Sequence, residues 1–270
     1  MRIIRTDDPN DARIAGYRDI RERDLVGREG RFIAEGKVVL AALFAARRFE
    51  AESVLVLGNR LEGLADTLET APADLPVFVV PAAVMDAVAG FPIHRGILAL
   101  GRRRAPETLE PLLASLPRRA TLVVLVGLSN HDNVGAIFRN TAAFGADAVI
   151  LDEASCDPLY RKAIRVSVGA ALKVPFVRGG NAAQIVEAVL RHGFEPVALS
   201  PAGAEYIRTI RRPERVALVL GTEGTGLPAA LLAALRTARI AMAPGFDSLN
   251  VAAASAIALH EMAAPGGEEG

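Results

Sequence analysis

The stretch VALVLGTEGTGLP, residues 216–228, decides how the rest of the chain is read. Five apolar residues run straight into a loop that carries Gly221, Gly224 and Gly226 around Glu223. Such a run, bounded by glycines, has the character of a buried strand in a parallel sheet. Open α/β sheets bind ligands at the carboxyl ends of their strands. Glycines there permit tight turns and let a ligand approach main-chain N–H and C=O groups. The spacing is G-x-x-G-x-G, not the G-x-G-x-x-G that opens a dinucleotide-binding fold, and no acidic residue follows at the next strand end to hold a ribose. The Lys and Ser/Thr of a P-loop are also missing, so neither a nicotinamide dehydrogenase nor a P-loop enzyme fits.

Outward from this loop the chain alternates strands and helices. Downstream, SLNVAAASAIALHE (248–261) begins with small polar residues and continues as an Ala-rich closing helix, Val251–Met262. Upstream, HDNVGAIFRNTAAFGADAVIL (131–151) predicts a helix over 134–144 and a strand at Ala148–Leu151. Further strands are expected at 122–126, 197–199 and 239–242, with helices at 158–166 and Ala182–Arg191. A separate α/β pattern precedes these. RFIAEGKVVLAALFAARRF (31–49) gives a strand, a Gly break and a helix; VLVL (54–57), VFVV (77–80) and GILAL (96–100) are short buried strands, with a helix at 81–88. Residues 1–30 carry both signs of charge densely and predict a solvated helix and loop. The polar, Pro-rich stretch after the first pattern, with a short helix expected at Glu107–Ser115, is taken as a linker. The expected domains are therefore 1–104, a linker at 105–119, and 120–270 with a frayed tail at 265–270.

Composition narrows the function. The chain has 270 residues, enough for two modest cores. It has one cysteine, Cys156, which excludes an internal disulfide and a thiolate metal cluster. The four histidines show no metal-ligand spacing, so no metal is expected. No apolar run reaches the roughly 20 residues that span a bilayer, and acidic residues stand where a leader would be apolar, so a cytoplasmic location is expected. Net charge is zero, but cations cluster at Arg102–Arg103–Arg104, at Arg118 and Arg119, and at Arg208, Arg211, Arg212 and Arg215. Only Lys37, Lys162 and Lys173 are lysines, and the arginine fork suits phosphate.

Together the three segments resemble the motifs of the SpoU (TrmH-type) RNA ribose methyltransferases. Asn133 to Arg139 and Asn140 match the first motif; Gly221, Glu223, Gly224 and Gly226-Leu227 the second; Ser248, Leu249 and Asn250 the third. The stretch DPLYRKAIRVSVGAALKVPF (157–176) is similar to the family's connection between motifs, and FIAEGKVVLAAL (32–43) and PIHRGILAL (92–100) to its small RNA-binding domain. The resemblance implies a SPOUT-type α/β catalytic domain whose parallel sheet ends in a trefoil knot, and a smaller N-terminal ribosomal-protein-like α/β domain that binds RNA. It implies S-adenosylmethionine as cofactor, held around Leu199, Gly221, Gly224, Gly226, Ile240, Met242 and Leu249. It also implies a homodimer with the active site near the interface. The family commonly has Pro where this chain has Ala241, which bears on the shape of that loop.

By this resemblance the catalytic residues are Asn133, Arg139, Glu223, Ser248 and Asn250. Arginine is a poor general base, since its pKa exceeds about 12. Arg139 is expected to clamp a phosphate and polarise the ribose hydroxyl from the second turn of a helix, close to the strand-end crevice. Asn133, at the expected helix start, is also a good N-cap, and Ser248 and Asn250 suit the start of the last helix. Arg165, Arg102 and Arg103 are candidate RNA contacts. The expected substrate is ribosomal RNA. Alternatives are transfer RNA, a non-catalytic RNA-binding protein of the same fold, or methylation of a base, which the first-motif arginine disfavours.

Overall fold

A computed structural model of the protein describes residues 1–18, 25–27, 29–89, 95–105 and 107–262. The chain divides into two compact units: Met1–Pro106 with Pro158–Lys173, and Glu107–Asp157 with Val174–Gly270.

The first unit holds strands β1 (Arg2–Arg5), β2 (Arg31–Glu35), β3 (Phe49–Leu57), β4 (Pro76–Val80) and β5 (Ile97–Arg103), in spatial order β1-β4-β3-β5-β2. Helices α1 (Lys37–Ala45), α2 (Ala65–Glu69) and α3 (Ala82–Ala89) connect them. Pairing is parallel at β1–β4 and β3–β4 and antiparallel at β3–β5 and β2–β5. The N-terminus departs from the expected solvated helix and loop. Two adjacent isoleucines, Ile3 and Ile4, form β1 despite flanking arginines, and a 3-10 helix over Ala12–Tyr17 buries Ile14 and Tyr17. The Tyr17 hydroxyl is satisfied by Ser53 Oγ at 2.7 Å and by the Leu100 N–H at 3.2 Å, which makes its burial tolerable. High local charge concealed Ile14 and Tyr17, which stand three positions apart on one face of this turn. Part of the N-terminal stretch, 19–24 and 28, lies outside the described residues, as do 90–94, which include the start of the PIHRGILAL stretch, and the tail 263–270.

The expected linker contains α4 (Leu109–Ser115), which sends Leu112 and Leu113 into the core of the second unit. Thereafter come β6 (Ala120–Leu125), α5 (His131–Ala143) and β7 (Ala148–Leu151). Residues 158–173, with α6 (Arg161–Val166) and α7 (Ala170–Lys173), group with the first unit rather than the second. Within it, the α6 residue Arg165 lies 3.8 Å from buried Glu35 of β2, and Gly169 stands close to Val39 and Ala42 of α1.

The second unit continues with β8 (Phe176–Arg178), α8 (Ala182–Arg191), β9 (Glu195–Leu199), β10 (Glu205–Tyr206), β11 (Arg215–Leu220), α9 (Ala229–Ala234), β12 (Arg236–Arg239) and α10 (Val251–Met262). Its strands lie in the order β10-β12-β9-β11-β6-β7-β8, with all their recorded pairings parallel. Every residue of β6 is buried, as the continuous apolar run predicts for a strand covered on both faces. Helix α5 buries Val134, Ile137, Phe138 and Thr141, the i, i+3, i+4, i+7 stripe of one helical face. Phe138 meets Phe176 of β8 edge to face at 5.5 Å, a contact worth about 1 kcal/mol beyond its buried area. Strand β12 ends at Arg239, so the expected strand over 239–242 is corrected. Ile240 and Met242 are apolar because they wall a cavity, not because they pair in a sheet.

Candidate active site

Three loops leave the carboxyl ends of β9, β11 and β12 and close a cavity of about 330 Å³ within the second unit. Its wall includes Leu199, Gly221, Glu223, Gly224, Gly226, Ile240, Met242, Ser248, Leu249 and Asn250, all singled out in the sequence. Sequence reasoning missed Ser200, Pro201, Leu220, Thr222, Ala238, Val251 and Ala254. Ser200 and Pro201 follow directly on a parallel strand, and the carboxyl-end rule alone would have marked them.

The loop after β11 explains its own glycines. Gly226 N–H donates to the Thr222 carbonyl at 3.1 Å, folding the loop back on itself. A Cβ on Gly221 would lie 2.4 Å from the Gly226 carbonyl carbon and 2.5 Å from the Leu227 nitrogen, so backbone passes backbone with no room for a side chain. Gly224 and Gly226 have φ of 88° and 70°, the left-handed region that disfavours other residues.

Beside this loop three polar side chains from distant parts of the chain meet. Glu223 Oε1 accepts hydrogen bonds from Asn133 Nδ2 at 2.7 Å and from Asn250 Nδ2 at 2.8 Å. Asn250 Nδ2 also reaches Asn133 Oδ1 at 3.0 Å. Asn250 spends its remaining acceptor on the start of α10, taking the N–H groups of Ala252 at 2.9 Å and Ala253 at 3.3 Å. It therefore caps the last helix and fixes Glu223 at once. Asn133 is not a cap. Helix α5 begins earlier than expected, at His131, and Asn130 is the residue whose side chain accepts from the Asp132 N–H. Ser248 is exposed on the cavity rim, and no hydrogen bond ties it to the helix start.

Arg139 is not brought to the cavity. A helix advances about 100° per residue, so Asn140, seven positions after Asn133, shares its face while Arg139 turns away. Asn140 Nδ2 accordingly donates to the Ala252 carbonyl at 2.8 Å and Ser255 Oγ at 2.9 Å, a second fastening of α5 to α10. Arg139 is exposed and does not line the cavity. Helical geometry thus leaves Arg139 off the described wall of this cavity.

The other candidates lie in the first unit. Arg102, on β5, pairs with Glu50 at 3.3 Å and Glu52 at 3.2 Å. Arg103 is on the same strand, and Arg165 faces Glu35. The Cys156 thiol is pushed up to about 12, chiefly by burial and then by Asp157, which keeps it neutral and unreactive. Among the described residues no three His, Cys, Asp or Glu side chains are grouped to hold a metal ion.

Comparison with known proteins bears on the whole chain. The profile of the SpoU rRNA Methylase family matches residues 120–260. An uncharacterized tRNA/rRNA methyltransferase of Mycobacterium tuberculosis is 39% identical over 268 residues, covering 94% of this chain and 89% of that protein. A 23S rRNA (guanosine-2′-O-)-methyltransferase, RlmB, from a Burkholderia species is 29% identical over 193 residues, covering 71% of this chain and 78% of that protein. The crystal structure of an AdoMet-bound rRNA methyltransferase from Sinorhizobium meliloti superposes with a TM-score of 0.77 at 25% identity, covering 96% of this chain and 97% of that one. That of an RNA 2′-O ribose methyltransferase gives 0.76 at 28% identity, covering 96% and 98%.

Proposed function

We infer the reaction from one premise: this chain belongs to the SpoU rRNA methylase family. It is an S-adenosylmethionine-dependent RNA methyltransferase, and the reading we favour is transfer of the methyl group to a ribose 2′-hydroxyl of ribosomal RNA. The observation that carries it is the cavity closed by three strand-end loops, with Glu223 pinned on its wall by Asn133 and Asn250.

The residues fit the cofactor. Leu199, Leu220, Ile240, Met242 and Leu249 supply apolar wall for a nucleoside, the glycines leave backbone groups accessible, and Glu223 offers the one carboxylate on the described wall. Bound there, S-adenosylmethionine supplies an activated methyl group on a sulfonium. The rest of the work is orientation of a hydroxyl and removal of its proton. Asn133 and Asn250 hold Glu223 by two N–H donors on a single oxygen, leaving Oε2 free to orient a polar group. Arg139 has its fork in solvent, suited to gripping the phosphate next to the reacting ribose and stabilising charge on the hydroxyl oxygen. A phosphate oxygen or water is the proton acceptor in this reading, because a guanidinium holds its proton.

Since Arg139 is exposed outside the cavity of its own chain, the reading includes a homodimer whose interface brings the arginine of one subunit to the cavity of the other. Exposed Ile257 on α10 supports such an interface. A trefoil knot in the second unit is supported by the closeness of its backbone segments: a Cβ on Gly203 would lie 2.3 Å from the Ala238 carbonyl carbon, and one on Gly221 2.4 Å from that of Gly226. The first unit is read as the RNA-recognition domain. Ribosomal rather than transfer RNA is favoured by the likeness to RlmB and to the Sinorhizobium protein, both rRNA methyltransferases. A cytoplasmic location goes with that substrate; among the described residues no helix is long and apolar enough to cross a membrane.

Calorimetric titration tests the reading together with ribose-methylation mapping of RNA from cells with and without the protein. One S-adenosylmethionine per subunit, no binding of NAD, and one ribose methylation lost with the protein are the expected results. Preferential binding of NAD would refute the cofactor assignment, and cofactor binding without any lost methylation would favour the non-catalytic RNA-binding reading.

A further inference from the structure

A second cleft, of about 400 Å³, lies wholly within the first unit, where β2 gives way to α1 and β3 to its following turn. Three cations line it: Lys37, Arg60 and Arg95, with Asn59 beside them. No carboxylate belongs to its described lining. This differs from three other arginines of the unit, which are tied to acids: Arg13 to Asp11 at 2.6 Å, Arg31 to Glu52 at 2.8 Å, Arg102 to Glu52 at 3.2 Å. Lys37 Nζ donates once, to the Gly63 carbonyl at 2.7 Å, which leaves two of its three donors unspent.

The backbone is shaped to bring these side chains together. Gly36 has φ of 95°, and a Cβ there would come within 3.0 Å of Arg95 Cδ and Nη1, so the arginine lies flat across it. Gly96 has φ of 64°, and a Cβ there would meet Leu57 Cδ1 at 2.5 Å and Arg60 Cγ at 3.3 Å. Two glycines in the left-handed region thus make room for two guanidiniums over one groove. Helix α1 starts at the same place with no acidic residue in its first turn and no side-chain cap, which adds positive potential. Three like charges converging without a counter-ion repel one another, and a multivalent anion relieves that repulsion.

We propose that this cleft binds consecutive phosphodiesters of the RNA substrate through Lys37, Arg60 and Arg95. The proposal rests on the reading of the chain as an RNA methyltransferase whose first unit recognises RNA, and it names the residues of that unit that hold the phosphates. The net charge of zero is no obstacle, because binding depends on how many phosphates lose their counter-ions locally.

The test uses the full chain, ribosomal RNA from cells lacking the protein, and RNA affinity measured across a salt series. One variant combines Lys37→Ala, Arg60→Ala and Arg95→Ala. A charge-matched control combines Arg13→Ala, Arg118→Ala and Arg191→Ala, whose arginines are all held in ion pairs. The cleft variant should lose roughly ten- to a hundredfold in affinity near 0.1 M salt, and its log–log salt slope should shrink by about 2 to 3. Its S-adenosylmethionine affinity should match that of the unmodified protein, and its deficit should fall on KM for RNA rather than kcat. The control should keep both its affinity and its slope. If the triple variant misfolds, Arg60→Gln with Arg95→Gln preserves bulk and should show about two-thirds of the slope change. Wild-type behaviour in the cleft variant, or an equal loss in the control, would overturn the cleft assignment while leaving the methyltransferase reading standing. Failure of the unmodified protein to bind or methylate RNA would remove that reading and the cleft with it.

Discussion

At the residue level the chemistry turns on which side chains are fixed and which are free. Asn133, Glu223 and Asn250 are mutually bonded, whereas Arg139 is exposed on α5. Removing Arg139 should therefore cost the fold little, and in the proposed mechanism its contribution is made when the hydroxyl oxygen gains negative charge. Arg139→Ala should lower turnover by at least about a hundredfold, on the scale of deleting one charge-stabilising group, with S-adenosylmethionine affinity and thermal midpoint unchanged. Arg139→Lys keeps the charge but loses the two-pronged fork and should also be severely impaired. Single-turnover methylation beside calorimetry checks both; near-normal turnover in the alanine variant would move the catalytic centre elsewhere. The identities of these residues were legible in the sequence because each motif names its own members. Their partnership was not: Asn133 and Asn250 are 117 positions apart and only tertiary structure joins them. Equally illegible was the outward turn of Arg139, because a resemblance carries a residue's role without its neighbours.

Elements were legible where apolar periodicity was undisturbed. The expected helices at Ala182–Arg191 and Val251–Met262 match α8 and α10, and β7 matches its expected bounds. Misreadings arose where hydrophobicity served another purpose, as in Ile240 and Met242 of the cavity wall, or where charge masked a short strand, as in β1. The loop after β11 shows how an element constrains the site. Its return depends on Gly221, because the backbone of Gly226 and Leu227 occupies the space a side chain would need. A backbone cannot rotate away as a flexible side chain can, so the added methyl must displace the loop. Gly221→Ala should destabilise the second unit by about 3 kcal/mol, the upper part of the range for overpacking. It should also abolish S-adenosylmethionine binding even where the protein stays folded. Denaturant unfolding and calorimetry measure the two effects, and normal cofactor affinity would show that the close approach is not needed for the cavity. Gly224, with nothing within 4 Å of its added Cβ, should tolerate alanine better despite its φ of 88°.

For the whole molecule, nothing in the order of residues marks 158–173 as part of the first unit, because the chain reaches them only after two strands of the second. A boundary drawn from a Pro-rich break assumes that each unit is continuous in sequence, and this one is not. Physically, the inserted segment completes the first unit. Its helix α6 packs against β2, Arg165 lies 3.8 Å from buried Glu35, and Gly169 sits where a Cβ would lie 2.9 Å from Ala42 of α1. Deleting it would uncover that face of β2 and α1 and leave the Glu35 carboxylate without its partner. Cutting at the apparent linker should therefore yield a weakened fragment rather than an autonomous domain. A chain of residues 1–105 should melt several degrees lower on its own than with a synthetic peptide of residues 158–173 added, and the gain should rise with peptide concentration, as for any ligand that binds only the folded state. Replacing Arg165 with alanine in the peptide should reduce the gain, because buried Glu35 would then lose the cation recorded beside it. Circular dichroism melts with and without peptide decide the matter: identical midpoints would mean that the first 105 residues are complete by themselves, and that the grouping of the insertion with them has no energetic weight.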